Sequence, residues 1–103
     1  MFNTCSSLKN VNIPSGVKEI GGNAFYKCTS LTSISIPETV TNIGVRAFEG
    51  CSLHKAYCYA TTPPTVESNS FNKIRALYVP IKCKEKYEAS PWKRFYNEII
   101  EME

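Results

Sequence analysis

The chain has 103 residues, 43% of them apolar and 20% charged, which is one domain's length with enough Val, Ile, Leu, Phe and Tyr for a single ordered core and too many for a disordered chain. Twelve Lys and Arg against nine acidic residues give a formal charge of +3, well short of the concentrated basic face that a phosphate backbone requires, so nucleic acid is not implied. No apolar run is long enough to cross a bilayer, and Met1 to Cys5 carries neither a basic n-region nor an apolar stretch.

Internal periodicity organises the rest. Phe2, Phe25, Phe48 and Phe71 stand at intervals of 23 residues, and Cys5, Cys28 and Cys51 keep the same interval. Aligning Cys5–Phe25 with Cys28–Phe48 gives ten identities in 21 positions, where chance would give about one. The second copy reads Cys28-x-x-Leu31-x-x-Ile34-x-Ile36-Pro37-x-x-Val40-x-x-Ile43-Gly44-x-x-Ala47-Phe48. Ile34 and Ile36 alternate with Ser33 and Ser35, the period of a short strand with one face inward. Pro37, like Pro14 and Pro80 at matching places, ends the strand because it offers no N–H to a ladder. Gly21 and Gly44 mark a turn where a side chain would be crowded or φ positive.

A unit this short cannot bury its own apolar side chains, but stacked copies place equivalent residues about 4.8 Å apart in continuous ladders. The expected fold is therefore a right-handed repeat solenoid of about three and a half coils, with short parallel β-strands, turns and short helical arcs. Leu31, Ile34, Ile36, Val40, Ile43, Phe48 and their equivalents form its core. Residues 1–80 are the solenoid and 81–103 a C-terminal helical cap.

The third and fourth coils degenerate. Leu53 arrives one residue early, Ala56 and Cys58 replace the two isoleucines, and Thr61 to Thr65 adds a residue before Val66, so that Phe71 regains register. A last strand is expected over Ala76 to Val79. Decay of this kind marks a capping region. Beyond Pro80, residues 82–89 are helix-compatible, and Lys82, Lys84, Lys86, Lys93 and Arg94, interrupted by Glu85 and Glu88, read as a solvated face. Ser90-Pro91 is a preferred N-cap and N1 pair. Trp92, Phe95, Tyr96, Ile99 and Ile100 then share one side of a helix. The competing reading is a helical turn through Phe95 and a final strand near Ile99 to Met102, and the sequence leaves residues 96–102 open between the two.

The segment Cys28 to Phe48 resembles the leucine-rich repeat of the BspA-like type. Cys58 to Pro64, Leu77-Tyr78-Val79-Pro80, Tyr87 and Trp92 to Phe95 are similar to the C-terminal ending of such proteins in Bacteroidetes. The resemblance implies a cell-surface or secreted protein engaged in adhesion or other protein contacts, with no cofactor and no catalytic residues to carry over. Because Met1-Phe2 enters at the end of a coil, earlier repeats and an export signal are expected outside this chain.

Catalytic and metal chemistry find little purchase. The nearest cysteine pair, Cys51 and Cys58, lacks the short spacing and second pair of a zinc site. Stacked Cys5, Cys28 and Cys51 have parallel Cβ vectors unsuited to disulfides, so a buried thiol ladder is expected, with Cys83 the exposed thiol. Cys58 points inward, away from His54, the one histidine, and with no aspartate in the chain a nucleophilic triad has no support. The candidate protein-binding face is the outward side of the sheet. Register places Asn10, Ser33, Lys55 and Ala76 in one file and Asn12, Ser35, Tyr57 and Tyr78 in the next, and neighbouring tyrosines supply large contact area at low entropy cost. The alternative is a polar strand surface that is merely solvated or covered by the C-terminal segment. The uncapped first coil exposes the apolar edges of Leu8, Val11, Ile13 and Phe25, which points to self-association or contact with a preceding repeat.

Overall fold

Alternating small polar and apolar residues become strands that cannot stand alone and so pair with the next coil. The computed structural model describes residues 8–102; the first rungs expected of the two ladders, Phe2 and Cys5, lie outside the described residues. Strands β1 (Asn10–Asn12), β3 (Ser33–Ile36), β5 (Lys55–Cys58), β6 (Ile74–Val79) and β7 (Tyr96–Glu101) form one all-parallel sheet in that order. On a second wall, β2 (Glu19–Ile20) pairs with β4 (Asn42–Ile43). Each coil thus contributes one strand to the main sheet, giving a parallel solenoid of about four turns. Pro14, Pro37 and Pro80 follow their strands as expected, and each carbonyl then accepts from the N–H three residues on, Val17, Val40 and Cys83 at 3.3, 3.2 and 3.1 Å.

The repeat register is the one the intervals demand. Ile34 lies opposite Val11 and Ala56, Ala56 opposite Leu77, and Leu77 opposite Ile99, forming one inward ladder. Leu31, Ile34, Ile36, Val40, Ile43 and Phe48 are all buried. The phenylalanines stack face to face along the axis: Phe25 on Phe48 and Phe48 on Phe71, each at 5.0 Å between centroids with planes within 7°. At the place of Ala24 and Ala47 the third coil carries Ser70, which is fully buried. Its hydroxyl donates to the Gly44 carbonyl at 2.9 Å and accepts from Glu67 N at 2.8 Å, so the polar group is satisfied.

The two matched glycines differ. A Cβ on Gly44 would sit 2.6 Å from Gly22 N and 3.0 Å from Gly21 C, whereas one on Gly21 would meet nothing within 4 Å. Neither has positive φ; that conformation falls instead at Gly16 and Gly50, among others. Crowding therefore explains Gly44 and not Gly21.

In the C-terminal segment one open alternative is decided and one expectation is corrected. Helix α1 (Lys84–Glu88) and a 3-10 helix at Pro91–Arg94 are present, with Ser90 Oγ accepting from Trp92 N at 3.2 Å. The chain then becomes β7 instead of continuing as helix through Ile100. The open edge of β6 presents N–H and C=O groups that a helix would leave unpaired, and two successive isoleucines suit a strand equally well. Cys83, expected exposed, is 4% exposed: it caps α1 four residues before Tyr87, on the same side of the helix, and that side lies on the last coil. Trp92, Tyr87 and Phe95 are buried there. Phe71 touches both Trp92 and Phe95 at 5.2 Å, Trp92 Nε1 donates to the Pro64 carbonyl at 2.9 Å, and Tyr87 donates to the Ala60 carbonyl at 2.6 Å. An aromatic lid with its polar tips paired to backbone thus closes the C-terminal end of the core.

Candidate functional site

The outward side of the main sheet is assembled by the same register that builds the core. Asn10 lies opposite Ser33, Ser33 opposite Lys55, and Lys55 opposite Ala76; Asn12 lies opposite Ser35, Ser35 opposite Tyr57, and Tyr57 opposite Tyr78. All the residues singled out from the sequence therefore stand in two adjacent files. Asn10, Asn12 and Lys55 are exposed, while Ser33, Ser35, Tyr57 and Tyr78 are half-buried. Ala76 is in its file but buried. The two tyrosines stack at 4.6 Å between centroids with planes 18° apart. Since strands lie about 4.8 Å apart, the ring faces are turned on each other along the stacking direction, and the rims and hydroxyl ends stand away from the sheet.

Strand β7 widens this surface in a way the sequence did not reveal. Glu98 lies opposite Ala76, and Ile100 opposite Tyr78. The first file thus ends on a carboxylate, and the second runs Ser35, Tyr57, Tyr78, Ile100. The signal was present in the strand-compatible Ile99-Ile100 pair, but equal compatibility with helix hid it. The C-terminal segment does not lie across the face; it extends the sheet edge and fills the coil end.

The thiols are arranged for packing. Cys28, Cys51, Cys58 and Cys83 are all buried. Burial, reinforced by the neighbouring Cys28 thiol, pushes the Cys51 thiol up to about 12. Burial likewise raises Cys58, against the opposing effect of the Tyr87 hydroxyl 3.2 Å away. A thiol held neutral is a poor nucleophile, which lends the Cys58 and His54 pairing no support; His54 itself is exposed just before β5. Among the described residues no group of three or more His, Cys or Glu converges to hold a metal ion, and no helix is long and apolar enough to cross a membrane.

At the opposite end of the solenoid Val11, Ile13, Val17, Ile20 and Phe25 line an apolar hollow of about 500 Å³. Leu8, Val11 and Ile13 pack against the core while remaining partly exposed, and Phe25 is buried.

Comparison with known proteins agrees with this geometry. The profile of the BspA-type leucine-rich repeat region, in 6 copies, matches residues 1–102. No curated protein matches the chain.

Proposed function

This chain belongs to the BspA-type leucine-rich repeat family, a fold that typically serves as a non-enzymatic binding scaffold, and from that premise we propose that it is a protein-binding module working through the outward face of its main sheet. The observation that carries the reading is the Tyr57–Tyr78 stack, half-buried at 4.6 Å and flanked by Ser35 and Ile100. A pair of rings already fixed by mutual packing offers contact area without the entropy cost of ordering on binding. Adhesion at a cell surface, or partner capture by a secreted protein, is the role that suits such a face.

The test is panning of a phage-displayed random dodecapeptide library on the immobilised intact chain. Peptides held by this face are released by the double substitution Tyr57→Ala/Tyr78→Ala while circular dichroism shows the variant still folded at the assay temperature. Retention unaffected by the double substitution overturns the assignment of the face.

A second reading, that the segment is a structural cap for a longer solenoid, is favoured by the aromatic lid of Tyr87, Trp92 and Phe95. The apolar hollow at the other end supports the companion proposal that chains associate through the first described coil. Sedimentation velocity across a concentration series tests it, and a monomer at every concentration contradicts it.

A further inference from the structure

Beside the tyrosine stack, the starts of β5 and β6 gather exposed cations in excess of the acids around them. His54, Asn72, Lys73, Arg75 and Asn97 line an open groove of about 650 Å³. It continues through His54 and Arg75 into a smaller hollow bounded by Lys55, Ala76 and Glu98. Lys55, Lys73 and Arg75 are all exposed. The ion pair found among the described residues, Arg46 with Glu49 at 3.4 Å, lies elsewhere, and Lys73 Nζ donates only a long 3.4 Å bond to the Arg94 carbonyl. Glu98 is the single carboxylate on these walls, so three fixed positive charges face one negative.

We infer that this part of the face takes an extended acidic protein segment, with carboxylates at Lys55, Lys73 and Arg75 and an apolar side chain on the Tyr57–Tyr78 rims. The inference rests on the proposed protein-binding role and adds the chemistry of the partner. Two observations set its form. Lys55 and Tyr57 are two residues apart on one strand, a separation of about 7 Å, which is also the distance between alternate side chains of an extended peptide. A segment lying along the strands therefore places an acid over the cations and a hydrophobic residue two positions on over the rings. One face of each tyrosine ring is occupied by the other, and the outer faces look along the sheet towards Ser35 and Ile100, so neither ring lies flat on the surface as a platform for a sugar. That favours a peptide over an anionic polysaccharide, for which the cations alone would serve.

The dodecapeptide library panned on the intact chain reads this directly. The expected result is enrichment of peptides with an acid-x-hydrophobic spacing. Their affinity falls about tenfold on Arg75→Glu or Lys55→Glu, and about as much when salt is raised to about 0.5 M, which screens exposed charges. The conservative Arg75→Gln, expected to lose less, guards against a folding defect, and unchanged circular dichroism accompanies all three variants. Enriched peptides that lack acids yet are released by Tyr57→Ala/Tyr78→Ala overturn this inference while leaving the protein-binding role standing. Binding of heparin that depends on Arg75, with no acidic peptide enriched, overturns it in favour of a polysaccharide. Peptides indifferent to every one of these substitutions overturn both.

Discussion

Alanine at Gly44 and alanine at Gly21 occupy the same place in successive repeats and are expected to have opposite effects. A methyl on Gly44 would lie 2.6 Å from Gly22 N, with Gly21 C and Gly22 Cα at 3.0 Å, roughly 0.5–0.9 Å inside the shortest ordinary contact distance. All three neighbours are backbone, so no rotamer change relieves the overlap. The coils must separate, which stretches the bonds from Gly44 N to Ile20 O at 2.8 Å and from Asn23 N to Val45 O at 2.9 Å. Overpacking costs about 1–3 kcal/mol and a weakened backbone bond adds about 1 kcal/mol. The smaller entropy of the unfolded alanine chain offsets roughly 0.4–1 kcal/mol. Gly44→Ala should therefore lose about 2–3 kcal/mol and lower the thermal midpoint by roughly 10–20 °C for a domain of this size. Gly21→Ala meets no atom and has no positive φ, so it should gain roughly 0.4–1 kcal/mol by the same entropy term. Urea unfolding followed by far-ultraviolet circular dichroism measures both. Two variants within about 0.5 kcal/mol of each other would refute the claim that close approach of coils, and not turn conformation, fixes the glycine.

Phe48→Ala removes a fully buried ring stacked on both sides and should cost about 3–5 kcal/mol; a double-mutant cycle with Phe71→Ala should recover a coupling of about 0.5–1.5 kcal/mol. The Tyr96 hydroxyl is buried with no hydrogen-bond partner, so Tyr96→Phe should leave stability unchanged or raise it by about 1 kcal/mol in the same urea assay. Because the Cys51 thiol is pushed from 9.0 up to about 12, the folded chain keeps a proton that the unfolded chain releases above pH 9. The contribution is complete below pH 9 and is lost as pH rises towards 12; urea midpoints should fall over that range, and less steeply in Cys51→Ala. Ellman's reagent at neutral pH should leave Cys28, Cys51, Cys58 and Cys83 unmodified until denaturant is added.

The coils were legible because a solenoid repeats its physics with its sequence. Equal spacing of Phe25, Phe48 and Phe71 could only mean stacking, and the paired register of Ser33 with Lys55 and Tyr57 with Tyr78 followed even though the third coil had lost its isoleucines. Legibility failed where local preference was balanced and a neighbour decided. Ile99 and Ile100 suit helix or strand, and the unpaired edge of β6 selected strand, carrying Glu98 and Ile100 onto the candidate face. Cys83 sits among lysines and glutamates in sequence, but its place at the start of α1 turned it inward beside Tyr87. Ser70 gave no sign that it would take the place of Ala24 and Ala47 in the third coil, since its burial depends on the carbonyls of Ile43 and Gly44 and on the Glu67 N–H around it.

The central claim is that partners are held on the outward files of the sheet, and it is tested most directly by titrating the nitrogen-15-labelled chain with the tightest dodecapeptide from the library while recording amide shifts. Binding on this face perturbs Ser33, Ser35, Lys55, Tyr57, Ala76 and Tyr78 most, with the shifts fading towards Tyr26 and Arg46 on another wall of the coil. Shifts centred on that other wall, or on the apolar hollow around Val11 and Phe25, would contradict it.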